Sequence, residues 1–213
     1  ACATCHMDGG QDGQVWDFTN RGEGLRNTIS LKGRAGIGHG RVHWSANFDE
    51  IHDFEHDMRG AFNGTGFIAR ADFNAGTVNQ PLGDTKAGLS ATLDALAAYV
   101  TSLEQYEKSA HRQASGELTA QAQLGAQLFV NAQCANCHAG ATFTDSPQGF
   151  MHDVGTINLD SGNRLGQSLT ALDTPTLRDL STTAPYLHNG SVNELSALFG
   201  SSNAHGSTAT FTN

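Results

Sequence analysis

Two Cys-x-x-Cys-His motifs, a similar hexad downstream of each, and an amphipathic stripe between them predict a mostly α-helical fold. It consists of two tandem cytochrome c-like domains, each holding one c-type haem, with long glycine-rich loops. The motifs are Cys2-Ala3-Thr4-Cys5-His6 and Cys134-Ala135-Asn136-Cys137-His138. At this spacing two thiols can add across the vinyl groups of one haem while the next imidazole binds the iron. A zinc site made of two Cys-x-x-Cys knuckles would place the pairs about 15–20 residues apart. Here the pairs lie far apart, and each carries its own histidine.

The hexads are Asn27-Thr28-Ile29-Ser30-Leu31-Lys32 and Asp173-Thr174-Pro175-Thr176-Leu177-Arg178. Placed alike behind two haem motifs, they indicate duplication. Residues 7–84 are rich in Gly, Asp and Asn, with helical periodicity only between about Asn47 and Phe62. Leu89, Leu93, Leu96, Val100 and Leu103 form one apolar stripe, which predicts a core helix over Thr85–Tyr106. The polar stretch Glu107–Glu117 reads as a linker. It divides the chain into a first domain, 1–106, and a second, 107–213. Thr119 can cap a helix that presents Leu124, Leu128 and Phe129 on one face and runs into Cys134. Ser191-Val192-Asn193-Glu194 is a capping-box pattern that opens a short helix to about Phe199. The tail Gly200–Asn213 reads as irregular. The runs Gly22-Glu23-Gly24 and Gly36-Ile37-Gly38-His39-Gly40 lack the strand-to-helix context of nucleotide loops and read as flexible turns near a haem.

Charged residues make up 15% of the 213-residue chain, and 25 residues are glycine. Against averages of about 25% and about 7%, this suits loops wrapped round large apolar cofactors rather than a long-helix bundle. The net charge of −9 argues against nucleic acid and anionic membranes and favours a basic or neutral redox partner. No stretch approaches the roughly 20 apolar residues of a membrane span. Covalent haem attachment takes place outside the cytoplasm. The expected location is therefore extracytoplasmic (periplasmic, cell-surface or secreted) in a bacterium, with a mature or excised N-terminus beside Cys2. All four cysteines are taken by the motifs, so no disulfide is expected.

A longer pattern resembles the bacterial di-haem cytochrome c peroxidase superfamily, which includes the enzyme that matures methylamine dehydrogenase. Gly125-x-x-Leu128-Phe129, Cys134–His138, Phe143-Thr144-Asp145, Thr174-Pro175-Thr176-Leu177-Arg178 and Thr183-Ala184-Pro185-Tyr186-Leu187-His188-Asn189-Gly190 are similar to its C-terminal half. Cys2–His6, Asn27-Thr28-x-Ser30-Leu31 and Trp44 are similar to its peroxidatic half. The resemblance implies that peroxide is cleaved at the first haem and that electrons enter at the second. It implies relay through Trp44, with Trp16 a second candidate. It also implies a structural calcium held by Asn27, Thr183 and Pro185, the last two through backbone carbonyls. Three departures stand out. The helix that precedes the first haem in the family is missing, which suggests the redox tail of a longer protein. The family's distal Gln and Glu have no clean counterpart, the Gln position falling near Phe54 with Glu55 beside it. No methionine lies at the usual distal position of the second haem, since Met151 comes too early and the relevant segment contains His205.

The chain has 10 histidines. His6 and His138 are the expected proximal ligands, and His205 the expected distal ligand of the second haem. By resemblance His188 belongs near the haem edge. His39, His43, His52 and His56 crowd the region above the first haem. At most one of them can bind its iron, with His43 and His56 the candidates. His111 and His152 read as surface or linker residues. His52-Asp53-Phe54-Glu55-His56 also fits an inverted zinc-peptidase motif, a remote alternative.

These readings predict a di-haem cytochrome that passes electrons between its haems to a partner protein or fused enzyme domain. Hydrogen peroxide reduction would be weak or conditional, assisted by Glu55 or a histidine. The alternative is a fully active di-haem peroxidase.

Overall fold

The chain opens on α1 (Cys2–Cys5), one turn through the first motif, and continues into an antiparallel pair, β1 (Val15–Asp17) and β2 (Leu25–Asn27). A glycine-rich stretch leads to α2 (Phe54–Arg59), the one-turn α3 (Arg70–Phe73) and α4 (Ala91–Thr101). Next come α5 (Ala120–Asn131), a tight turn through Cys134–Asn136, and β3 (Met151–His152). The hairpin β4 (Asn163–Arg164) and β5 (Gln167–Ser168) precedes β6 (Leu172–Asp173), which pairs antiparallel with β3. The computed structural model describes residues 2–199 and residue 205. Among these, no helix is long and apolar enough to cross a membrane.

Helices are the main regular elements, yet loops dominate more than the sequence suggested, and among the described residues only α4 and α5 exceed two turns. The stripe over Thr85–Tyr106 shrinks to 91–101 for local reasons. Thr85 donates its hydroxyl to Glu50 at 3.0 Å, and the Lys86 N–H bonds the same carboxylate. The helix then starts at Ser90, whose Oγ accepts the Leu93 N–H. Leu93 and Val100 are buried as expected, and Val42, Phe48, Ile51 and Ala97 complete that core with Val100. Thr119 caps α5 through the Ala122 N–H, but Leu124 and Leu128 on that helix are exposed. Between Asn47 and Phe62 the helix is confined to α2 and a 3-10 turn before it. The capping-box pattern at Ser191 yields only a 3-10 turn, Leu195–Phe199. The tail expected to be irregular lies, apart from His205, outside the described residues.

The echo between the two hexads has a local structural counterpart. Each hexad begins on the last residue of the second strand of a two-stranded sheet, Asn27 on β2 and Asp173 on β6. Each half then forms the same short loop. Val42 N–H donates to Phe48 O at 3.0 Å, and Tyr186 N–H to Val192 O at 2.6 Å. His43 and Leu187 have φ of 68° and 69°, and Ala46 and Gly190 are also left-handed. Trp44 and His188 thus occupy equivalent places, and each reaches across to the other half. The Asn27 N–H donates to His188 O at 2.6 Å, while the Asp173 N–H donates to Trp44 O at 2.9 Å.

Further cross-links surround this exchange. Arg26 donates to Ser161 O, Arg164 to Ser45 O and Arg178 to Gly33 O. Gly24 and Gly162 let two backbones touch: a Cβ on Gly24 would meet Asp160 O, and one on Gly162 would meet Glu23 O. The run Gly22-Glu23-Gly24 is therefore a clamp between the halves, not a flexible turn. Gly162 also has φ of 67°, so a side chain there is strained as well as obstructed. Gly162→Ala should cost about 1–3 kcal/mol of unfolding free energy, readable as a lower denaturant midpoint. An unchanged midpoint would show that the crossing is not a constraint.

Candidate functional site

Between the halves lies a cavity of about 380 Å³. Cys134, Cys137, His138 and His205 line it from the second half, and Asn27, Arg34 and Trp44 from the first. His138 Nδ1–H donates to Phe143 O (3.1 Å), and His6 Nδ1–H donates to Gly10 O at 3.3 Å. A proton on Nδ1 satisfies both carbonyls and leaves each Nε2 lone pair for a metal. Ile29 and Pro175, the third residues of the two hexads, supply an equivalent backbone interaction to His6 and His138. Burial pushes both imidazoles below their ordinary pKa, so they are neutral near pH 7, as ligation requires.

The rings of His138 and His205 face each other with centroids 6.0 Å apart and planes 33° from parallel. Two imidazole–metal bonds of about 2 Å each, plus the ring radii, span about that distance. Burial also lowers the His205 pKa. The paired thiols, the imidazole beside them and this second ring fit a c-type haem.

At the first motif the structure separates the four crowded histidines. Only His43 is felt electrostatically by His6. Its Nδ1 bonds Asn47 Oδ1 at 2.7 Å, Asn47 Nδ2 donates to Glu23 Oε1 at 3.0 Å, and Glu23 is fixed by Arg26 at 2.6 Å and Ser45 at 2.9 Å. This chain orients the ring against Phe48 and Phe54 and leaves Nε2 for a ligand. His56 turns instead into Phe48 and Phe73. His52 bonds Asp94 at 3.0 Å. His39 is buried against Arg34, and burial with that guanidinium pushes its pKa down to about 3.

Glu55 is not placed as an acid. It is fully buried, takes a 2.7 Å ion pair from Arg59, and accepts the N–H groups of Phe67 and Ile68. With His52 and His56 facing different surroundings and Glu55 enclosed, the zinc-peptidase constellation does not assemble. Trp16 is displaced from the relay position: it lies exposed on β1, whereas Trp44 is half-buried on the cavity wall with its indole N–H on Asn27 O at 3.0 Å.

Asn27, Thr183 and Pro185 line one wall of the same cavity. Asn27 Nδ2 lies against Pro185 O, and its Oδ1 is buried without a partner. Turning the amide over would aim Oδ1 and the Pro185 carbonyl at one point, which suits a hard cation.

Sequence reasoning missed three groups. His152 is only half-buried but bonds buried Asp145 at 2.7 Å, and both lie within ligand reach of Cys137. Burial pushes the Asp173 pKa up to about 7, and Arg34, fully enclosed nearby, falls to about 10. Asp145 and Asp173 stood inside motifs that drew notice for their neighbours; nothing in the sequence marked Arg34.

No protein-family model matches the chain. Methylamine utilization protein MauG of Methylorubrum extorquens is 37% identical over 118 residues, covering 49% of this chain and 32% of that protein. MauG of Methylophilus methylotrophus is 30% identical over 128 residues, covering 54% and 37%. Hydrazine synthase subunit gamma of Kuenenia stuttgartiensis is 28% identical over 236 positions, covering 92% and 62%. These relatives support the resemblance to the di-haem cytochrome c peroxidase superfamily. It spans less than two thirds of the length of these relatives. Within the superfamily fold, its backbone resembles that of a hydrazine synthase structure from Kuenenia stuttgartiensis (TM-score 0.68, 22% identity, all of this chain and 76% of that one). It also resembles a MauG-like protein associated with microbial copper homeostasis (TM-score 0.54, 20% identity, 93% and 66%).

His188, the counterpart of Trp44, gives the site a pH dependence. Burial, then Arg26, pushes its pKa down to about 4. A depressed folded pKa contributes stability above the unfolded value of about 6.5 and loses it as pH falls towards 4. Melting temperature should therefore drop across that window, and less steeply in His188→Gln. Equal slopes in both proteins would remove His188 from the account.

Proposed function

We propose that this chain is a two-haem electron-transfer protein in which peroxide reduction at the first haem is weak or conditional. The observation that carries the reading is the exchange between halves. It sets Trp44 on the wall of the cavity that holds Cys134–His138: its carbonyl accepts the Asp173 N–H of the other half, and its indole N–H is tied to Asn27 O of its own half. Cys2 and Cys5 would bind one haem with His6 below, and Cys134 and Cys137 the other with His138. The haems supply reversible one-electron chemistry at iron. His205, facing His138, would complete the second coordination sphere, and two imidazoles there favour a low potential. His43, oriented through Asn47 and Glu23, would close the first. Trp44 would carry electrons between them.

The acidic charge favours a basic or neutral redox protein, or a fused enzyme domain, as electron partner. Covalent haem attachment favours an extracytoplasmic location. The chain would divide into haem domains 1–106 and 107–213.

One observation favours the fully active peroxidase. Asp57, one helical turn beyond Phe54, lies beside His43, and burial pushes its carboxyl above the ordinary range. A carboxyl there that holds its proton more tightly than usual could assist O–O cleavage where Glu55 cannot.

Spin state and turnover separate the readings. A denatured sample should keep its colour and a mass of the chain plus two haems. The oxidised protein should be low-spin at both irons and slow with peroxide, and His43→Ala should make the first haem high-spin and raise turnover by an order of magnitude or more. Fast turnover with a high-spin first haem in the unaltered oxidised protein would instead establish the peroxidase.

Calcium at Asn27, Thr183 and Pro185 would join the first half to the second and stabilise their docking by mass action. Chelation should lower the melting temperature, and Asn27→Ala should abolish that response. A melting temperature indifferent to chelator would exclude the ion.

A further inference from the structure

The first half buries a lysine that neither haem motif uses. Lys86 is 1% exposed, and Asp53, in the 3-10 turn ahead of α2, is 0% exposed. Lys86 Nζ stands 2.6 Å from Asp53 Oδ1, and neither residue lines the cavity between the halves. The nitrogen also donates to two backbone carbonyls, Gln80 O and Asp84 O, at 3.4 Å each. Glu50 fixes the backbone beside it by accepting the Lys86 N–H and the Thr85 hydroxyl.

The two carboxylate oxygens are treated differently. Oδ1 lies at ion-pair distance from Nζ yet is buried with no hydrogen-bond partner, so the nitrogen stands off the hydrogen-bonding angles. A carbonyl C–O bond is about 1.2 Å long, which puts Asp53 Cγ within about 4 Å of the nitrogen. Oδ2 accepts the N–H groups of Asp49 at 3.0 Å and Glu50 at 3.4 Å. Two backbone donors on one oxygen, with an amine beside the other, suit attack on the carboxyl carbon. An ion pair enclosed this completely loses the hydration of both charges, and an imperfect geometry offsets that loss poorly. A neutral amide in the same place removes both charges.

We propose that Lys86 and Asp53 condense into an intramolecular isopeptide bond. Nζ passes one proton to Oδ1 and attacks Cγ as the free amine. The Nζ–Cγ bond forms while Oδ2 takes the negative charge under the Asp49 and Glu50 N–H groups. A second proton moves from Nζ to Oδ1, the Cγ–Oδ1 bond breaks, and Oδ1 leaves as water. One ammonium and one carboxylate give one amide and one water, with no oxidant or reductant. Proximity supplies the rate, and the exclusion of water protects the product from hydrolysis. The bond spans 33 positions (86 − 53). It ties the turn whose Ile51 packs with Val100 of α4 to the loop that leads into that helix.

The test is the mass of the haem-loaded protein as purified. It should lie one water below the chain plus its haems. The deficit is the same whatever the haem count, so it is read independently of the proposed function. Trypsin should spare Lys86 and release a branched peptide that carries both residues. Lys86→Arg and Asp53→Ala should each restore the missing water. Asp8-Gly9 and Asp12-Gly13 can also lose water by closing to succinimides, but cleavage at Lys86 would then persist. A full mass in the unaltered protein would overturn the bond and leave a buried ion pair. So would a water deficit mapped to either Asp-Gly step with Lys86 still cleaved.

Discussion

Two backbone hydrogen bonds exchanged in opposite directions, Asn27 to His188 and Asp173 to Trp44, fix how the two halves of this chain meet. Each is worth only about 0.5–1.5 kcal/mol net, but leaving a buried partner unpaired costs about 1–3 kcal/mol. The halves therefore cannot slide without orphaning polar groups. The cavity, the position of Trp44 on its wall and the approach of Asn27 to Pro185 all follow from that register. The glycine crossing at Gly24 and Gly162 serves the same end by letting the chains come close enough for the exchange.

Burial then decides the chemistry of the rings held in this frame. His6, His138 and His205 are all shifted towards the neutral form chiefly because desolvation penalises the imidazolium. A low charge density in the sequence makes this possible, since few cations or anions compete inside. Where charge does enter, it is shared: Arg34 faces His39 and the field of Asp173, and Glu23 is bound on both oxygens. These fixed partners position side chains more rigidly than apolar packing alone would.

Covalent spacing and repetition were legible in the sequence; tertiary partners were not. The two motifs and their hexads could be read directly because Cys-x-x-Cys-His and its echo are local patterns, and the strands that end at Asn27 and Asp173 bear out the duplication. The core helix was found but drawn too long, because Glu50 captures Thr85 and Lys86 from 35 residues or more away. Glu55 resembled an acid by position and became a structural carboxylate through Arg59, Phe67 and Ile68, none of which its local sequence announces. His152 resembled a surface residue until β3 and the Asp145 turn brought the two together. The choice among His39, His43, His52 and His56 needed their partners, and partners are a property of the fold.

The same frame carries different side chains in its two halves, and this makes the halves chemically unequal. Trp44 and His188 stand at equivalent places, but one offers an oxidisable indole tied to a carbonyl and the other a depressed imidazole tied to Ser161 at 2.7 Å. His43 and Leu187 share a left-handed backbone position, yet only the first half places an imidazole there. The second half brings its additional ring from His205, far along the chain, to face His138. The first ring is borne on the frame itself and held by the Asn47–Glu23–Arg26 chain, whereas His205 stands outside that frame. Two similar loops with different side chains at two equivalent positions thus make the halves chemically unequal.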